Sequence, residues 1–405
     1  MGLKAFGLSQ DVPCRLSKAG KTHFLLHLTE CEFRFNHKIE DICKLVLKML
    51  RGKPLSQVCP LIKMEICMKD IRQKAKELMR GACRLCPICD GRVCAGEVPG
   101  MGGLGSGAAF KNNVKALAEI ALNMRLIHTA SAPETSCSRL GMNLDMPVVA
   151  APIGGMFNFN DAVTEEKYAE AVVQGCKNSG IIGCTGDGVP PIITQAAFAA
   201  ITAAKGHGIS FIKPWESDEL DEKLNRSFAS GCKIVGMDID AAGLITLRKM
   251  GHPVGPKSPK ELAAIVEKVH KAGCKFILKG IMTVADAKEA VTAGVDCIVV
   301  SNHGGRVMEY APGTARVLPA IVRAVKGQVT IMVDGGVRSG ADVLKMLALG
   351  ADLVGIGRPI VWAAIGGGAE GVSKYIAQLK GELVQTMVLT GCKDIAAINE
   401  DVLFA

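Results

Sequence analysis

The sequence predicts an α/β fold, a (β/α)8 barrel with an N-terminal helical and loop extension, and three observations carry that reading. From residue 147 onward an apolar run recurs eight times, each followed by a helical pattern. The runs are continuous rather than alternating, as expected of parallel strands covered on both faces. Polar residues suited to chemistry collect where the runs end, and a barrel carries its site at the C-terminal ends of its strands. An open doubly wound sheet is the alternative. Eight successive units, and no G-x-G-x-x-G after the first strand, disfavour it.

The first four strands read PVVAAP (147–152), GIIGCTG (180–186), GISFIKP (208–214) and KIVGMDID (233–240). The last four read CKFILKG (274–280), CIVVSNHG (297–304), TIMVDGG (330–336) and LVGIGRP (353–359). With its C-terminal helices the barrel takes residues 140–405. Ahead of it, residues 68–139 form a helical and cysteine-rich segment expected to pack on the barrel. There MKDIRQKAKELMRG, from Met68, reads as an amphipathic helix ending at Gly81. A glycine-rich stretch, GEVPGMGGLGSG, and a helix from about Ala108 to Leu122 follow. Residues 1–67 are basic, hold five scattered cysteines and show one helix-like stretch near Ile39–Leu50. The expectation is a poorly folded or spurious extension, such as an upstream start codon would add.

Composition narrows the function. Of 405 residues, 49% are hydrophobic and 4% aromatic, so a large core must be aliphatic, with 17 methionines to fill gaps. The net charge of +9 suggests nucleic acid until its distribution is read. The first 80 residues hold 16 Lys/Arg and 8 Asp/Glu, whereas the other 325 hold 32 and 31. No aromatic residues interleave with the basic ones, so no nucleic-acid partner is expected. Sixteen cysteines without a signal-peptide pattern point to a reducing, cytoplasmic setting. The apolar window ADLVGIGRPIVWAAIGGG is broken by Arg358 and Pro359, so no membrane span is expected.

Strands seven and eight end in Asp334-Gly335-Gly336-Val337-Arg338 and Gly357-Arg358. Glycines there let backbone N–H groups approach an anion, Ser339 opens a helix whose N-terminus favours negative charge, and the arginines add charge-assisted bonds. A phosphate site follows, the alternative being arginines paired with Asp334 and Asp352. Lys279 ends strand five in apolar surroundings, where it could form a Schiff base, a structural ion pair, or a fixed positive charge beside a cofactor. His303, before two glycines, is placed as a general base. Arg306 could grip a carboxylate in bidentate fashion, and Asp240, at the end of strand four, could orient the imidazole.

The run SNHGGR, preceded by ILKG and followed by VDGGVRSGADVLKMLALGADLVGIGRP, resembles the FMN-dependent α-hydroxy-acid dehydrogenases and oxidases over about 250 residues. The resemblance implies FMN, with Lys279 near the flavin pyrimidine and Ser301 among the polar groups around it. It places Asp334, Gly335, Gly336, Arg338, Gly357 and Arg358 around the phosphate, and Pro152, Ile153 and Gly154 along the ring. Thr185, at the end of strand two, joins the cofactor set. His303 is then the base, Asp240 its partner and Arg306 the ligand of a lactate- or glycolate-like (S)-2-hydroxy acid, whose α-hydrogen passes to flavin N5 as hydride. Homo-oligomers, tetramers or octamers, are the family's habit.

The chain departs from that family where the substrate would be held. Tyrosines expected in the N-terminal segment and at the end of strand three are missing, and the latter place reads Lys213-Pro214-Trp215. A second carboxylate-binding arginine is also missing after strand four, with Arg248 a distant candidate. Tyr310, in the loop VMEYAPGT, is the residue expected to replace a lost substrate contact. Cys83, Cys86, Cys89 and Cys94 form C-x2-C-x2-C-x4-C, which could hold an iron–sulfur cluster or zinc, or be four reduced thiols. A cluster would favour an electron-carrier protein over oxygen as acceptor. Other functions stay open: an isomerase or reductase resembling type 2 isopentenyl-diphosphate isomerase, or a non-catalytic flavin redox sensor.

Overall fold

Aliphatic runs covered on both sides settle into the strands of a closed barrel, and all eight expected from the sequence are present. The computed structural model describes residues 60–79, 81–160, 162–244, 247, 251 and 254–404, with the backbone alone for 60–67 and 217. The expectations for residues 1–59, including the stretch near Ile39–Leu50, and for Arg248 lie outside the described residues.

Helix α1 (Pro60–Leu78) begins ahead of the expected Met68. Helix α2 (Ala108–Ala118) stops short of Leu122, which instead bridges to Leu403 near the C-terminus. A hairpin that the sequence did not announce follows, β1 (Cys137–Arg139) and β2 (Met142–Leu144). The barrel's first half runs β3 (Val148–Ile153), α3 (Glu165–Asn178), β4 (Ile182–Thr185), α4 (Pro191–Ala203), β5 (Ile209–Ile212), α5 (Ser217–Ala229) and β6 (Ile234–Asp238). Its second half runs α6 (Pro259–Lys271), β7 (Lys275–Ile281), α7 (Val284–Thr292), β8 (Cys297–Val300), α8 (Thr314–Val325), β9 (Thr330–Val333), α9 (Gly340–Ala348), β10 (Leu353–Ile356) and α10 (Arg358–Thr390). Strands pair in parallel in chain order, and β10 closes onto β3. Local sequence starts the helices: Ser258 with Glu261, and Ser339 with Asp342, form capping boxes at α6 and α9.

Side chains alternate across each strand. Val149, Ile182, Cys184, Ile209, Phe211, Ile234, Ile277, Cys297, Val299, Met332 and Leu353 fill the lower interior, joined by Leu140 and Leu144 of the hairpin. A larger apolar cluster lies between the strands and the helices. Continuing the inward alternation up the strands places Lys213, Asp238, Lys279, Ser301 and Asp334 above the apolar plug, all of them buried. The fold thus lifts one layer of charge onto a greasy floor. That layer is the base of the site.

Candidate active site

His303 follows β8 with a left-handed backbone, φ 56°, a conformation that L side chains adopt rarely. Ser301 Oγ accepts the His303 N–H at 3.1 Å and donates to Asp334 Oδ1 at 2.7 Å, which pins the turn. The ring's Nδ1 lies 3.0 Å from Asp240 Oδ1. An Nδ1–H donated there leaves Nε2 as the basic nitrogen. Lys279 Nζ is 3.4 Å from the same Nδ1 but forms its ion pair with Asp238 Oδ1 at 2.8 Å. Burial alone would push the Asp240 carboxyl up; the charges of Lys279, His303 and Lys213 outweigh it and hold it below its ordinary value.

The other end of the site is built from arginines. Arg306 donates to the carbonyls of Gly100 and Gly102, and Arg358 to those of Met101, Gly102 and Gly304. Arg358 lies over the ring of Phe110 at 3.8 Å from its centroid. Arg338 donates to Val337 O and Cys89 O, while its Nε is buried with no acceptor. Among the described residues none of the three has a carboxylate partner; Asp352 is taken by Arg139. Burial, with Arg338 and Arg306 beside it, pushes Arg358 down to about 9. The helix α9 N-terminus, expected to share in anion binding, is occupied instead. Asp342 accepts from Arg338 N and Ser339 N, and Glu382 accepts from Gly340 N.

Both ends face one cavity of about 330 Å³, floored by Lys213, Asp238 and Lys279 and roofed by residues 98–101. A model of FMN-dependent dehydrogenases matches residues 100–273 and 256–405. The chain belongs to the FMN-dependent dehydrogenase family. Among its relatives, the L-lactate oxidase of Lactobacillus jensenii is 31% identical over 321 residues, covering 72% of this chain and 76% of that one. The L-lactate dehydrogenase of Acinetobacter baylyi is 31% identical over 359 residues, covering 75% and 91%. A crystal structure of mandelate oxidase superposes with TM-score 0.67 at 27% identity, covering 83% of this chain and 97% of that one. This FMN-dependent dehydrogenase is therefore an α-hydroxy-acid oxidase/dehydrogenase-type oxidoreductase acting on CH–OH, and the isomerase and sensor readings fall away.

The residues present fit FMN. An anionic phosphate would answer Arg338 and Arg358, which have no carboxylate partner, and the orphaned Arg338 Nε, and no side chain stands at Gly335 or Gly336 (φ 107° and 86°) to hold it off. Pro152, Ile153, Gly154, Lys279, Asp334, Gly357, His303 and Arg306 all line the same cavity. Asp240 and Ser301 stand one layer behind it, acting through His303 and Asp334.

Other expected residues are placed elsewhere. Thr185 is buried with an unpartnered hydroxyl but does not line the cavity. Tyr310 is 75% exposed and outside it, because Glu309 pins its loop: the carbonyl accepts from Ala109 N and the carboxylate from Ser106 N. The four clustered cysteines lie within electrostatic reach of one another, Cys83 of Cys86, Cys89 and Cys94. No three of their sulfurs approach within 4.8 Å of one another; Cys83 packs toward the core and Cys89 Sγ accepts from Arg338. That spacing is wider than the tetrahedral thiolates of a zinc ion need, and neither an iron–sulfur cluster nor the electron carrier that rested on it gains support from the relatives. Sequence reasoning missed Phe110, Glu165 and the 98–101 roof, and gave Asp238, at the end of strand four, no role. Glu165 accepts from Gly155 N and Phe157 N, fixing the turn after β3 that lines the cavity. Its place at the first turn of a helix was the available signal.

Proposed function

We propose that this protein oxidises an (S)-2-hydroxy acid, lactate- or glycolate-like, to the 2-oxo acid. The observation that carries the proposal is the His303 Nδ1–Asp240 Oδ1 bond of 3.0 Å in the wall of the cation-lined cavity. His303 Nε2 takes the hydroxyl proton, and the Asp240 carboxylate stabilises the imidazolium that forms. Bound FMN supplies the two-electron acceptor for the α-hydrogen. Ser301 holds His303 in its strained turn, so the base does not have to be oriented anew at each cycle. The relatives named for lactate and mandelate support this substrate class. Exposed Met124, Leu126 and Ile127 support a homo-oligomer.

The test is anaerobic mixing of the FMN-loaded protein with lactate, glycolate and mandelate. The flavin absorption should bleach with at least one of them. His303→Ala should keep FMN while slowing bleaching by about 100- to 10,000-fold. Bleaching by none of the 2-hydroxy acids, or at the wild-type rate in His303→Ala, overturns the reading.

A further inference from the structure

A 2-hydroxy acid brings a carboxylate into the cavity, and a cation near the base must receive it. Most cations there are already engaged. Lys279 is paired with Asp238 at 2.8 Å. Arg338 and Arg358 serve the phosphate end, where Arg358 is stacked on Phe110. Arg306 donates to the carbonyls of Gly100 and Gly102, which tie it to the roof.

Lys213 is the exception. It follows β5 on the inward-facing parity of Ile209 and Phe211, is 8% exposed, and lines the cavity. Among the described residues its ammonium makes no hydrogen bond or ion pair. Its charge nonetheless reaches Asp240, the partner of His303, whose carboxyl it helps hold ionised. Asp187, whose carboxylate touches the main chain of this segment, is fully committed elsewhere. Asp187 Oδ2 accepts the backbone N–H of Lys213 at 2.9 Å and Trp215 Nε1 at 2.5 Å. Its Oδ1 takes the Lys223 ammonium at 2.7 Å and the Gly188 N–H at 2.7 Å. Asp187 therefore fixes the main chain at Lys213 without neutralising its side chain. A nine-tenths-buried, unpaired ammonium facing a cavity is costly unless an anion visits it.

We propose that Lys213 joins Arg306 in binding the substrate carboxylate and selects 2-hydroxy acids over their neutral analogues. This rests on the function proposed above and deepens it. Lys213→Met keeps the length and removes the charge; Lys213→Arg restores it. In the FMN-loaded protein, Lys213→Met should raise KM for lactate about 10- to 100-fold, with kcat changed far less, because one charge-assisted bond is lost. The preference for lactate over methyl lactate should collapse in Lys213→Met and survive in Lys213→Arg, a pattern that damage to packing alone would not produce. Oxalate, titrated by its perturbation of the flavin spectrum, should weaken by the same factor.

Unchanged lactate KM and oxalate affinity in Lys213→Met would overturn the proposal, the more so if Arg306→Leu abolished both. If Lys213→Met fails to retain FMN, Lys213→Gln carries the same comparison. If the wild type is reduced by no 2-hydroxy acid, the proposed function fails, and oxalate affinity alone judges Lys213. Oxalate binding that is absent, or indifferent to Lys213, then overturns this proposal as well.

Discussion

Lys279 and Asp238 form a buried ion pair of 2.8 Å on the floor of the cavity. Two residues on from Asp238, Asp240 turns to His303 instead. One strand end therefore supplies two carboxylates with separate tasks. Asp238 neutralises a lysine, and Asp240 orients a base.

The first prediction concerns that lysine. With FMN bound, a full positive charge at Lys279 favours the reduced, anionic flavin, and Asp238 offsets it. Asp238→Asn should raise the flavin midpoint potential by tens of millivolts, where ~30 mV corresponds to ~1.4 kcal/mol for two electrons. Sulfite affinity should rise with it. Redox titration of the variant checks this, and a potential unchanged or lowered would mean that Lys279 is too remote from the ring.

A second prediction tests how the N-terminal segment docks. Gly305 has φ 81°, and a Cβ there would fall into the backbone of Phe110. Gly305→Ala should therefore push α2 off the barrel, costing about 2–4 kcal/mol from overpacking and left-handed strain. Because Phe110 carries Arg358, FMN should be lost as well. Denaturation midpoints and flavin content read the two effects together.

The third prediction is a pH dependence. Burial pushes the Asp334 carboxyl above its ordinary value, against the pull of Lys279 and the Ser301 hydroxyl. A carboxyl raised in the fold contributes stability below its unfolded pKa of about 4, and that stability is lost as pH rises through the higher folded value. Asp334→Asn mimics the neutral form. The apoprotein variant should match wild type in acid and exceed it increasingly toward neutral pH. Urea midpoints across pH would show the two curves diverging, and parallel curves would reject the assignment.

Much of the site was legible because a barrel writes its chemistry at strand ends. Lys279, His303, Asp334, Arg338 and Arg358 each stand where an apolar run stops, and each reaches the cavity. What could not be read was closure. Phe110 belongs to a helix nearly two hundred residues ahead of the loop it packs under, and its role under Arg358 exists only once α2 has docked. The roof at 98–101 looked like a glycine-rich loop with no stated partner; its carbonyls turned out to receive two arginines. Tyr310 shows the converse. It sits in the right loop, but Glu309 aims that loop outward. Spacing also said nothing about where four cysteine side chains point, since one turns to the core and another to Arg338.

The three arginines without carboxylates bear on the protein's lifetime as well as its cofactor. A chain that has not acquired FMN retains their mutual repulsion, whereas a ligand at a hundredfold excess over its Kd adds ~2.7 kcal/mol to folding stability. Unloaded molecules should open first at the roof that the arginines hold, and proteases should find them first. Vitamin supply, as much as gene expression, would then set how many copies of this enzyme persist.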